Sequence, residues 1–90
     1  MSARVEEIRR RLALALSPAV LEVEDESHRH VGHEGARDGR GHFRVRIVSA
    51  AFASQPPLAR HRAVYAAVGD LMQTDIHALV IDARTPEENA

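Results

Sequence analysis

Phe43-Arg44-Val45-Arg46-Ile47, preceded along the chain by Leu21-Glu22-Val23-Glu24, is the stretch that decides the fold. Apolar and charged residues alternate in both segments, the period-two pattern of strands with one face buried and the other solvated. Pairing the two strands puts Glu22 and Glu24 on one face with Arg44 and Arg46, and each opposite-charge pair contributes about 0.2–1 kcal/mol. Their connection, Ser27 to Gly41, contains Gly32, Gly35, Gly39 and Gly41. It is long for a hairpin loop, and loops of that length in compact domains commonly carry function.

Outward toward the N-terminus, Val5, Ile8, Leu12 and Leu16 recur at helical spacing, with Ser2 as N-cap, Glu6 and Glu7 in the first turn and Ser17-Pro18 as the stop. Toward the C-terminus the chain turns through Ser54-Gln55-Pro56-Pro57, then Leu58, Ala59, His61, Arg62, Tyr65, Val68 and Met72 follow a second helical repeat. Pro57 suits a first helical position, where its missing N–H is not needed. Gly69 costs that helix about 1 kcal/mol against Ala and marks a bend or a close backbone approach. A last strand is expected from His77 to Ala83, with His77, Leu79 and Ile81 on one parity. Thr85-Pro86-Glu87-Glu88 then has the form of a capping box. The order of elements predicts an α+β domain, a three-stranded sheet with helices on one face.

Ninety residues make a single domain, 1–90, with one modest core that buries about 60–65% of the unfolded chain's surface. The net charge is −1 and all twelve basic residues are Arg, so global electrostatics does not favour nucleic acid. There is no cysteine, which excludes a disulfide scaffold and agrees with a reducing compartment. Ser2-Ala3-Arg4-Val5-Glu6-Glu7 has carboxylates where a signal peptide has an apolar core, and no apolar run approaches the ~18 residues of a membrane span. The expectation is a soluble, cytoplasmic protein with no membrane contact.

Six histidines stand out: His28, His30, His33, His42, His61 and His77. His77 lies between Ile76 and Ala78-Leu79-Val80-Ile81, where its neighbours call for burial while the ring calls for a hydrogen bond or a metal. The residues leave two readings open, a metal ligand or a hydrogen-bonded strand-edge imidazole. With no thiolate in the chain, a soft metal needs sulfur from elsewhere, which points to a shared site. His28 and His30 share a face if the strand extends, an arrangement that suits zinc or nickel. Equally, Ser27 to His33 reads as a solvated segment, His42 as a strand-start residue packing near Phe43, and His61 as part of a helix surface.

Several of these pieces coincide with one family. Leu21-Glu22-Val23-Glu24-Asp25-Glu26-Ser27 followed by His30, then His42-Phe43-Arg44-Val45, Ile47-Val48-Ser49, Arg60-His61-Arg62-Ala63-Val64-Tyr65 and Ile76-His77-Ala78-Leu79, resemble the BolA family from the first helix to Thr85-Pro86. The resemblance implies an α-β-β-α-α-β order with a short C-terminal helix and a three-stranded mixed sheet similar to the type II KH domain. The first two strands are then antiparallel and the third lies alongside.

The resemblance further implies a non-enzymatic adaptor. Its partner is a monothiol glutaredoxin with a Cys-Gly-Phe-Ser active site, and the pair shares a 2Fe-2S cluster in cluster trafficking, assembly or iron sensing. The glutaredoxin cysteine and a glutathione supply sulfur, while this chain supplies His77 and, by motif position, His30, with His33, His42 and His28 as alternates. The apo form is expected as a monomer or weak homodimer. Imidazole in place of thiolate lowers the negative charge on one iron, raises the potential, and makes the cluster sensitive to protonation near about pH 6–7. Two departures from the family pattern are the length of the loop between His30 and His42, which has its own His33, and Ser54, which replaces a usual glycine.

The competing reading is a nucleic-acid-binding transcriptional regulator that uses Arg60, His61 and Arg62, a basic cluster on a helix. No Gly-x-x-Gly clamp occurs between Pro56-Pro57 and Val68, and Phe43, Phe52 and Tyr65 are the only aromatics. Only weak nucleic-acid binding is expected. No nucleophile with a base partner and no phosphate loop points to an enzyme.

Overall fold

The computed structural model describes residues 2–27 and 39–90. Helix α1 (Ala3–Leu16) leads into strands β1 (Val20–Asp25) and β2 (Gly41–Val48), followed by a 3-10 turn (Ala50–Phe52), helices α2 (Pro57–Val68) and α3 (Leu71–Thr74), strand β3 (Ile76–Arg84) and helix α4 (Pro86–Asn89). The sheet order is β1-β2-β3. β1 runs antiparallel to β2 with Glu22 opposite Arg46 and Glu24 opposite Arg44, and β3 runs parallel to β2 with Phe43 opposite Leu79 and Val45 opposite Ile81. A parallel neighbour needs a crossover, and the 3-10 turn with α2 and α3 supplies it. This is the α+β fold with a mixed sheet that the family resemblance implies.

Alternation sorts the two faces of β2. Phe43, Val45 and Ile47 are buried against Ile8 and Leu12 of α1, Val64 and Val68 of α2, and Phe52, Leu71 and Ile76. Full burial of each such side chain contributes about 1.5–3 kcal/mol. On the opposite face Glu22, Glu24, Arg44, Arg46 and Asp82 line a shallow charged depression.

Local chemistry sets the element ends. The Ser2 side chain accepts from the Val5 N–H, and Ser17 closes α1 in the left-handed region at φ 44°. Thr85 and Glu88 form the expected capping box, with Pro86 in the first turn. Ser49, buried, donates through Oγ to the Leu16 carbonyl at 2.6 Å and accepts from the Ala51 N–H at 3.0 Å. Ser54 takes a φ of 64°, a backbone conformation that costs most residues and suits glycine.

Three expectations need correction. The second helix does not run on to Met72: Gly69, at φ 55°, ends it, and α3 follows as a separate short helix. The buried stripe of α2 is Val64 and Val68 with Ala63 and Ala67 beside them, while Leu58 is 61% and Tyr65 40% exposed. Small alanines let this helix sit close to the sheet, which turns its bulkier residues outward. The third correction concerns the start of β3, where Ile76 rather than His77 holds the core position.

A candidate metal centre at one end of the sheet

β3 departs from a regular ladder at its first turn of residues. Ile76 is the partner of Gly41 and Ala78 is the partner of His42, so His77 is an extra residue in the parallel pairing, a β-bulge. The bulge explains the burial pattern. Ile76 is fully buried and Leu79 packs on the core, yet they lie three positions apart, an odd interval that an unbroken strand cannot place on one face. The inserted residue resets the parity. His77 therefore leaves the face that it was expected to share with Leu79 and Ile81, and its side chain is exposed.

Backbone ties draw three chain segments to this end of the sheet. The His42 N–H donates to Ser27 Oγ at 3.1 Å, the Glu26 N–H to the His42 carbonyl at 2.8 Å, and the Gly41 N–H to the Asp75 carbonyl at 2.8 Å. Gly41 makes the approach possible, since a Cβ there would lie 2.7 Å from Ser27 Oγ and 2.8 Å from the Phe43 ring. Glu26 is buried, and its carboxylate accepts from Arg44 Nε at 3.1 Å. The Asp75 carboxyl is held below its ordinary range, first by the Thr74 hydroxyl and then by Arg4.

The arrangement brings two imidazoles together. The rings of His42 and His77 have centroids 5.2 Å apart, tilted by 50°. Arg40 reaches the same point, with Nη2 3.3 Å from His77 Nδ1 and Nη1 donating to the Met72 carbonyl at 3.1 Å. A guanidinium has no acceptor, so His77 Nδ1 is the acceptor in this contact. Arg40 was not singled out from sequence; it falls outside any periodic element, and only its place just before Gly41-His42 could have flagged it.

His28, His30 and His33 lie in residues 28–38, outside the described residues, in the connection that leaves β1 beside Ser27 and returns to β2 before His42. Among the described residues no group of three or more His, Asp or Glu side chains is placed to hold a metal. The donor set here is two imidazoles without thiolate. Such a set fits one iron of a cluster whose other ligands come from elsewhere, and does not make a closed structural site.

The basic cluster of α2 is not one surface. Arg60 is bound bidentately by Glu88 at 2.5 and 3.0 Å and also donates to the Gln55 carbonyl at 2.7 Å and the Ala83 carbonyl at 3.1 Å. With a side chain only 13% exposed, it fastens α4 to α2. Of its neighbours, His61 is half-buried and Arg62 exposed.

The chain's relatives agree with this architecture. A family described as BolA-like protein matches residues 12–88. Human BolA-like protein 1 is 46% identical over 81 residues, which cover 90% of this chain and 57% of the human protein. The DNA-binding transcriptional regulator BolA of Escherichia coli is 37% identical over 83 residues, 92% of this chain and 76% of that protein. The Arabidopsis thaliana SufE-like protein 1, chloroplastic/mitochondrial, is 44% identical, and the chain spans 23% of its length. The solved BolA domain of SufE1 from Arabidopsis superimposes with a TM-score of 0.86 at 41% identity, covering 98% of each chain. No helix among the described residues is long and apolar enough to cross a membrane. A relative named for chloroplasts and mitochondria means that the expected cytoplasmic location does not follow from the family.

Proposed function

The chain belongs to the BolA family, and on that premise we propose that it is a non-enzymatic adaptor that pairs with a monothiol glutaredoxin and shares a 2Fe-2S cluster with it. The observation that carries this reading is the exposed His77 in the bulge, with His42 beside it at 5.2 Å. An exposed imidazole released from strand pairing presents a nitrogen to a partner without disturbing the core. In this reading His77 and His30 from the loop are the ligands this chain supplies, and the glutaredoxin cysteine and glutathione supply sulfur. The cluster, when bound, brings electron-accepting iron that can be passed on or sensed. The chain's own contribution is to orient nitrogen donors on a rigid sheet end and to offer a docking surface. Without a partner it is a monomer or weak homodimer.

Anaerobic mixing with a monothiol glutaredoxin and glutathione under reconstitution conditions, followed by size exclusion with visible absorption, tests the reading. A coloured heterodimer is expected. Separate elution of two colourless proteins would overturn it.

A second reading, direct action on nucleic acid, is favoured by the likeness to the Escherichia coli DNA-binding transcriptional regulator. The engagement of Arg60 by Glu88 leaves Arg62 and His61 as the available groups on that helix. Binding is then weak and salt-dependent, and loss of Arg62 reduces the salt slope by about one. A tight footprint on a defined sequence at physiological salt would reverse the ranking.

A further inference from the structure

We infer that Arg40 and an incoming metal compete for the same lone pair of His77, so that Arg40 sets how readily this histidine becomes a ligand. The inference rests on the reading of His77 as a ligand given above. A neutral imidazole has one N–H and one lone pair. Arg40 Nη2 lies 3.3 Å from Nδ1 and can only donate, so the lone pair is on Nδ1 and the proton on Nε2. Ligation through Nδ1 requires the guanidinium to leave. Ligation through Nε2 moves the proton to Nδ1, where it would confront an N–H of Arg40. Either route breaks the contact.

Arg40 is held by more than its contact with His77. Its Nη1 donates to the Met72 carbonyl at 3.1 Å, in α3, a second tie that holds the guanidinium beside the ring. Arg40 is thereby a positioning residue, which holds the imidazole in one tautomer until a stronger electrophile takes the lone pair. An exposed hydrogen bond of this kind changes the accessibility of the lone pair by about fivefold.

The test uses the full chain labelled with 15N in its imidazoles, as wild type, Arg40→Ala and Arg40→Lys, with His77→Ala to assign signals. Long-range proton–nitrogen NMR reads the tautomer of His77, and mass spectrometry reads its acylation rate by diethyl pyrocarbonate, an electrophile whose carbonyl the same lone pair attacks. The wild type is expected in the Nε2–H form. Arg40→Ala is expected as a mixture of tautomers, acylated about fivefold faster, with Arg40→Lys between the two because it keeps a donor. Zinc alone, titrated into the apo proteins, should perturb His77 at about fivefold lower concentration in Arg40→Ala. Loss of the Met72 tie alone would lower the urea midpoint and leave tautomer and acylation unchanged, and that pattern overturns the competition. Failure of a cluster to form with the glutaredoxin in all three proteins instead overturns the ligand reading of His77. Unchanged acylation beside normal cluster formation overturns only the role of Arg40.

Discussion

Arg60 holds both carboxylate oxygens of Glu88, at 2.5 and 3.0 Å, and with the Arg46–Asn89 hydrogen bond at 2.7 Å this pair fastens the C-terminal helix to the body of the domain. The Arg60 guanidinium, aided by the Thr85 backbone N–H, pulls the Glu88 carboxyl from 4.5 down to about 2. A carboxylate with a depressed folded value stabilises above its unfolded value and loses that contribution as pH falls through the folded one. The α4 helix should therefore come loose between about pH 4.5 and 2, seen as convergence of the Thr85 and Glu88 amide signals on random-coil positions. Glu88→Gln should show the loosened tail already at neutral pH. Glu7, whose carboxyl is likewise pulled down to about 2 by Arg10 and Arg11, titrates in α1 and is read by different signals.

Gly41→Ala should destabilise the fold by about 1–3 kcal/mol, because the added methyl meets the buried Phe43 ring at 2.8 Å as well as Ser27 Oγ. Ser27 can rotate away but the ring cannot. Urea unfolding measures the loss, and an unchanged midpoint would mean that the end of the sheet yields more easily than its packing implies.

Ser54→Gly should stabilise by about 0.5–1 kcal/mol, the left-handed penalty relieved less the entropy that glycine adds to the unfolded chain. The φ of 64° at Ser54 motivates it. A lower thermal midpoint for the glycine variant would count against the strain argument.

His77→Ala should leave circular dichroism and the apo heterodimer intact, since the side chain is exposed and outside the strand pairing, and should abolish or change the visible spectrum of the cluster-bound pair. Among single Ala replacements at His28, His30, His33 and His42, His30→Ala should shorten cluster lifetime most. An effect at His33 without one at His30 would move the loop ligand into the longer segment.

Much of the fold was legible where side chains alternate cleanly. The opposition of Glu22 to Arg46 and of Glu24 to Arg44 follows directly from charge and period, since a one-residue slip would turn Leu21, Val23, Phe43, Val45 and Ile47 to the solvent face. The parallel placement of β3 was not available from periodicity and came only with the family resemblance. Parity misplaced His77 because counting by two assumes an unbroken strand. Ile76 and Leu79, both apolar and an odd interval apart, were the available sign of a bulge. In α2 the large residues Leu58 and Tyr65 dominated the helical count, whereas close packing is made through Ala63 and Ala67, whose small size gives periodicity little weight. Arg40 and the tie from Ser27 to His42 join residues far apart in sequence at a strand end, where no local pattern marks them.

The bulge also separates two demands that usually fall on the same residue. Ile76 and Leu79 are held by the core, and Gly41 and His42 take Ile76 and Ala78 as their register partners, so position 77 is the inserted residue between two register positions. A change of side chain there, to another donor or to none, leaves register and packing as they are. Variation at this one position can alter the chemistry offered to a partner while the domain beneath it stays equally stable, and descendants of a common scaffold can diverge in what they bind without first re-evolving how they fold.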